Sequence, residues 1–247
     1  MNEIPIPRVH GLPPRWHAPV AAAGLALGIA IAPLVAAAHS LDELEQQLFD
    51  REQYFQIKNV AAPDFALEDT DGKPVALSDL RDKVVILHFI YASCPDVCPL
   101  HAEKLAEVQE MIAITPMKDQ VAFVTITTDP ARDTPEILRE YGDLHGLDPV
   151  NWMILTSGPD EPEDTTRRLA EEFGLKFTQA DDGLQMHGIV TIVIDREGRW
   201  RASFHGLQFH PTNLVLYVNA LVNDVHKPGG HNDAPTPSFW ERVFSWF

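Results

Sequence analysis

Only two of the 247 residues are cysteine, which excludes a fold stapled together by disulfides. Basic residues are scarce as well: 19 Lys and Arg stand against 36 Asp and Glu, for a formal net charge of −17. A surface of that sign repels a phosphate backbone, so no nucleic acid is expected as a partner. Long apolar runs are also missing, with one exception at residues 18–38, which carries no charge. No internal repeat is visible. What the chain does have is apolar material, at 45% of its residues, enough to build a core and to exclude disorder over the whole length.

The uncharged stretch follows Arg8 and Arg15 and ends in Ala36-Ala37-Ala38, with Pro33 upstream. A basic lead, an apolar middle and small residues at the end make the pattern of an export signal cut before His39. The stretch is also long enough to span a bilayer, so an uncleaved anchor is the second reading. Either way the body is expected on the periplasmic side of the cytoplasmic membrane, attached through the N-terminal segment if that segment is retained. Four parts follow: a signal or anchor (1–38), a helical extension (39–58), a globular domain (59–226), and a Pro/Gly-rich linker with an aromatic tail (227–247) whose last nine residues read FWERVFSWF. The leader carries Arg8 and Arg15 against Glu3, so its removal leaves the acidity with the domain, which suits a basic protein partner.

Ser40-Leu41-Asp42-Glu43 is a capping-box pattern that opens a short helix to about Phe49. Residues 59–80 form an extended segment with a hairpin turn at Asp69-Thr70-Asp71-Gly72. Lys83–Tyr91 is a continuous β-branched and aromatic run, the mark of a central strand covered on both faces. From Pro99 the spacing turns helical, with Leu105, Val108, Met111 and Ile112 on one side. Val121–Thr127 is a second buried strand, and Asp133-Thr134-Pro135-Glu136 predicts a helix start with Asp133 as its cap, running to about His145. A strand at 152–155, a helix at 163–173 stopped by Gly174, a strand at 189–195, its hairpin partner at 200–204 and a helix at 211–225 complete one α/β domain with a mixed sheet.

Both cysteines sit where the central strand hands over to a helix, at Cys94 and Cys98. Positions i and i+4 share a helical face, and a helix N-terminus favours thiolate over thiol. A thiolate is a soft metal ligand and a redox nucleophile, and the pair alone leaves both uses open. A structural disulfide closing so short a loop would constrain the unfolded chain little. For a third ligand His187 is the best placed, in the loop before the strand at 189–195. His101, three residues after Cys98, competes with it; His88, His205 and His210 are further imidazoles, and Met186 offers a thioether. Sulfur with imidazole suits copper, Cu(I) being favoured by thiolates, with Cu(II) and zinc left open. Asp96 is placed to cap the helix or tune the thiols, and Asp129 with Arg132 to form an ion pair beside the site.

Ser93-Cys94-Pro95-Asp96-Val97-Cys98-Pro99, the segment from Thr128 to Glu136, and His187 followed by Ile192-Val193-Ile194-Asp195-Arg196-Glu197-Gly198 resemble the Sco/SenC family. These are thioredoxin-like copper proteins that serve cytochrome c oxidase assembly, and the resemblance covers about residues 62–222. It implies a thioredoxin-like three-layer domain with a central mixed β-sheet flanked by helices, and copper held by Cys94, Cys98 and His187. It further implies a metallochaperone that delivers copper to the binuclear site of a terminal oxidase subunit, or to another periplasmic copper protein. The alternative is a thiol–disulfide oxidoreductase in which Cys94 and Cys98 are the catalytic pair and reduce cysteines of a copper-site target; peroxide reduction at Cys94 is a third reading. The chain departs from the family at Gln185-Met186, where a Val-Asp pair often precedes the histidine. Thioredoxin-like domains carry a cis-proline where this chain has Met186-His187.

Overall fold

A computed structural model describes residues 41–179, 185–186 and 188–224. The leader, the tail from Val225 onward and His187 lie outside the described residues. In chain order the elements are α1 (Leu41–Arg51), β1 (Phe55–Ala61), β2 (Ala66–Asp69), β3 (Pro74–Ala76), β4 (Val84–Ile90), α2 (Val97–Ala113), β5 (Val121–Thr127), α3 (Pro135–Leu144), β6 (Trp152–Thr156), α4 (Thr165–Glu172), β7 (Thr178–Gln179), β8 (Gln185–Met186), β9 (Val190–Ile194), β10 (Arg199–His205) and α5 (Pro211–Asp224). Among the described residues no helix is long and apolar enough to cross a membrane.

β4 and β5 are buried along their whole length, which is why their sequences run apolar without alternation. They pair in parallel from Val84↔Val121 to Ile90↔Thr127, and β6 adds a third parallel strand beyond β5. On its other side β4 meets β9 antiparallel, with Leu87 opposite Ile192. The full sheet has the order β1-β10-β9-β4-β5-β6-β2-β3, and β7 and β8 form a separate short pair. Alternate residues of the central strands feed two cores. Val84, Ile86, Ile90, Phe123 and Val193 pack with Leu48 of α1, Leu105 of α2, Leu138 of α3 and Leu214 of α5. Val85, Leu87, Phe89, Val124 and Ile192 pack with Leu169 of α4 and with Phe65, Leu67 and Leu77. The result is the expected three-layer arrangement, helices on both sides of a mixed sheet.

β1 departs from the sequence reading, which ran the helical extension to residue 58. The helix ends at Arg51, and Phe55–Ala61 pairs antiparallel with β10. Only Phe55 of that strand is buried, so no alternation marks it. The register breaks between Ile57 and Val60, where Asn59 takes a positive φ of 82°, as in a bulge on an edge strand. At the turn into β10, Gly198 (φ 76°) is needed twice over: its backbone is left-handed, and the Arg81 guanidinium occupies the space a Cβ would fill.

α1 lies antiparallel to α5 through two buried carboxylates. Glu45 accepts from the Tyr217 hydroxyl at 2.9 Å and faces Arg201, while Glu52 accepts from the His210 N–H at 2.9 Å and from Asn213 at 2.6 Å. Every such charge has a donor, as burial demands. At the far end of α5, Arg196 bridges the Val222 carbonyl and that of Asp82, just ahead of β4. The finish of α5 thus lies at the start of β4, and the cysteines follow its other end, about 20 Å away at the usual strand rise.

Candidate metal centre

β4 ends at Ile90, and a short loop carries the chain into α2. The Cys94 N–H donates to the Tyr91 carbonyl at 3.1 Å, turning the loop back on itself. Asp96 occupies the cap position of α2, but its side chain makes no capping bond. The N–H groups of Asp96 and Cys98 instead face the Cys94 sulfur. Both cysteines are free thiols within hydrogen-bonding reach of each other; Cys98 is fully buried and Cys94 is 5% exposed.

The two thiols are unequal. Burial pushes Cys94 up, but the backbone N–H groups of Asp96 and Cys98, the Cys98 thiol and the Tyr91 side chain outweigh it and leave Cys94 below the ordinary cysteine value. Burial pushes Cys98 well above its ordinary value; the Tyr91 backbone offsets part of this, and Cys94 and the Asp133 carboxylate add to it. Cys94 is the more acidic of the two thiols, and Cys98 the one that holds its proton longer. Two adjacent reduced sulfurs of this kind fit a soft ion such as Cu(I).

Asp133, read from the sequence as a helix cap, does something else. Thr134 is the cap of α3, its hydroxyl accepting from the Ile137 N–H at 3.4 Å. The Asp133 carboxylate is buried and accepts from the Ala92 N–H at 2.9 Å and from the Thr127 hydroxyl. The expected ion pair between Asp129 and Arg132 is present and holds the loop after β5. Tyr141 of α3 donates to the Cys98 carbonyl at 3.0 Å.

With this geometry in view, residues 56–223 match SCO1/SenC. The chain belongs to the SCO1/SenC family. A SCO2-like protein of Rickettsia prowazekii is 31% identical over 143 residues, 57% of this chain and 67% of that one. Among solved structures, a SCO1/SenC family lipoprotein from Bacillus anthracis superposes with a TM-score of 0.61 at 25% identity, covering 67% of this chain and 97% of its own. A copper-bound ScoI from Arabidopsis thaliana gives 0.55 at 27% identity, covering 65% and 98%. The sheet and its helices are therefore the thioredoxin-like fold of Sco proteins, and the match starts at β1, leaving α1 outside it.

Three of the other candidate imidazoles of this Sco domain are engaged elsewhere. His101 shares a 2.7 Å hydrogen bond with the Thr191 hydroxyl, and His88 one of 2.6 Å with Thr125, which also accepts from the Trp152 indole at 2.8 Å. The two imidazole rings lie 4.9 Å apart inside the core. His205 faces Gln56, and the His210 backbone is tied to Glu52. Among the described residues no group of three His, Cys, Asp or Glu could hold a metal. The Met186 side chain, like His187, lies outside the described residues, although the backbone of Gln185–Met186 forms β8. The sequence reading missed Asp133 as a loop clamp, and Tyr141 and Thr127 altogether. The second aspartate of Asp-Pro-Ala-Arg-Asp was the available signal for the first; Tyr141 reads as an ordinary core aromatic.

Proposed function

We propose that this Sco protein carries copper as cargo on Cys94 and Cys98, with His187 as the third ligand, and passes it to the binuclear copper site of a terminal oxidase. The observation that carries the reading is the pair of adjacent, reduced, unequal thiols at the mouth of α2. An arriving Cu(I) meets the Cys94 thiolate first and then takes Cys98, which releases its proton. Transfer runs by stepwise exchange, each incoming ligand of the partner displacing one of the chaperone's, with no change of oxidation state. His187 is supported by the family motif and by its place three residues before β9, a strand whose start lies level with the end of β4. The copper-bound relative supports the choice of metal.

Location and partner are inferred from the sequence and the surface. The basic and apolar leader supports a periplasmic setting, anchored or released. α2, which carries Cys98, exposes Glu103, Glu107 and Leu100, and α3 exposes Glu136, Glu140 and Ile137; these carboxylates suit a partner with a basic face.

The same inequality favours a second reading. The Cys94 thiolate attacks a disulfide of a copper-site protein, expelling one thiolate; Cys98 then attacks Cys94 in the mixed disulfide and releases the second, so two electrons pass to the partner. Titration of the reduced protein with Cu(I) separates the readings. Wild type should bind one equivalent, Cys94→Ser should lose it, and His187→Ala should hold it less tightly. A reduced wild type that ignores stoichiometric Cu(I) but rapidly reduces a disulfide substrate overturns the copper reading. Brief iodoacetamide labelling near neutral pH should modify Cys94 well ahead of Cys98; equal labelling would contradict the inequality.

A further inference from the structure

The loop between β4 and α2 must keep two sulfurs adjacent, and backbone bonds among the described residues hold it from within and from outside. Within the loop Cys94 bonds back to Tyr91. From outside, the Ala92 N–H is taken by Asp133, 41 residues on, and the Cys98 carbonyl by Tyr141, 43 residues on. Both partners belong to α3 or to the turn that leads into it. The grip therefore reaches the backbone on either side of the thiol pair, at Ala92 before Cys94 and at Cys98 itself.

Asp133 is an expensive choice for a merely structural tie. Its carboxylate is 2% exposed, and burial holds it above the ordinary carboxylate range. The neighbouring guanidinium of Arg132 is bonded to Asp129. The helix has no need of Asp133 as a cap, because Thr134 fills that place. What Asp133 gains instead is a fixed position: Thr127 at the end of β5 donates to the same oxygen as Ala92, its own N–H bonds the Asp129 carbonyl at 2.9 Å, and Pro130 and Pro135 restrict the backbone on either side. A buried polar group held in this way specifies geometry more than it adds stability.

We propose that Asp133 and Tyr141 are positioning residues that hold the Cys94–Cys98 spacing against α3, keeping the thiols pre-organised for a shared ion. This deepens the copper reading and rests on it for the identity of the ion, while the spacing can be measured without any metal. Tyr141→Phe removes a single hydroxyl, Asp133→Ala removes the clamp, and Asp133→Asn keeps an oxygen able to accept from Ala92.

Two measurements on the purified protein test the proposal. The first is Cu(I) affinity against a chromophoric chelator, where Asp133→Ala should lose about tenfold, in the range of other losses of an outer partner to a metal ligand. Tyr141→Phe should lose a few-fold, and Asp133→Asn should recover part of the Asp133→Ala loss. The second uses oxidised glutathione on the metal-free dithiol. Cys94 displaces one glutathione thiol, and Cys98 then displaces the other to close the disulfide. Asp133→Ala and Tyr141→Phe should slow the closing step, so that the Cys94–glutathione mixed disulfide accumulates, visible by mass spectrometry after acid quench. A variant that melts earlier yet closes at the wild-type rate assigns its residue to stability alone and overturns the proposal for it. If Asp133→Ala does not fold, Thr127→Val, which removes a donor to the Asp133 carboxylate, takes its place, and wild-type closure and copper affinity in both it and Tyr141→Phe overturn the proposal. If wild type binds no copper at all, the copper reading fails while the closure rates still decide the spacing.

Discussion

The two faces of the central strands are built differently. On the face covered by α4, β4, β5 and β9 present only Val85, Leu87, Phe89, Ala122, Val124, Ile126, Val190, Ile192 and Ile194. On the face covered by α2, the same strands place His88, Thr125, Thr127 and Thr191 among their apolar residues, all buried. The apolar face has only to keep water out, and any well-packed set of side chains of the right volume would serve it. The polar face constrains more. Thr191, His101, His88, Thr125 and Trp152 form a row of hydrogen bonds and ring contacts that crosses four strands beneath the first turns of α2, and each of its bonds tolerates little displacement. A helix seated on such a row is fixed in rotation and in height, and that helix carries Cys98.

The sharpest way to break this contrast is on the apolar side. Leu87→Ala should cost about 2–5 kcal/mol in denaturant unfolding, while the protein that remains folded binds Cu(I) as wild type does. A fall in copper affinity there would mean that the two faces are not separable. On the polar side, His101→Leu leaves the Thr191 hydroxyl without its imidazole and should cost about 1–3 kcal/mol. Because His101 stands one turn from Cys98, copper affinity should fall with it, and unchanged affinity would reduce the row to ordinary core packing. Thr134→Ala removes the cap of α3 and should cost about 1 kcal/mol with copper binding intact, separating the cap from the neighbouring clamp. The smallest effect is expected at His205, which burial and Lys58 hold below the ordinary imidazole value. The unfolded chain therefore takes up its proton more readily, so stability is complete above about pH 6.5 and slips slightly as the pH falls below it. His205→Gln should flatten that slope in thermal melts.

The contrast also separates what the sequence discloses from what it withholds. β4 and β5 are legible because a strand covered on both faces has to be apolar throughout. Cys94 and Cys98 are legible because their spacing and the strand-to-helix junction carry chemical meaning by themselves. Thr125, Thr127 and Thr191 look like any β-branched strand residue, since threonine favours strands much as valine does and its partner stands far away in sequence. His101 reaches a residue 90 positions distant, and nothing local announces it. Asp133 and Thr134 are both good caps, and the choice between them is made by the Ala92 N–H, which no window around the helix contains. β1 escaped notice for the opposite reason: an exposed edge strand needs no pattern, because its partner β10 supplies the order.

The antiparallel seating of α1 on α5 has a consequence for reach. α1 begins beside the end of α5, so the chain enters and leaves this pair at the pole opposite the thiols. A tether engineered at either place would lengthen the domain's range with the sulfurs at its far end, so that the thiols would sample a shell whose radius is the tether plus the length of the domain. Their local concentration at an immobile partner is set by that length, falling roughly as its −3/2 power once the tether exceeds the span it has to cross.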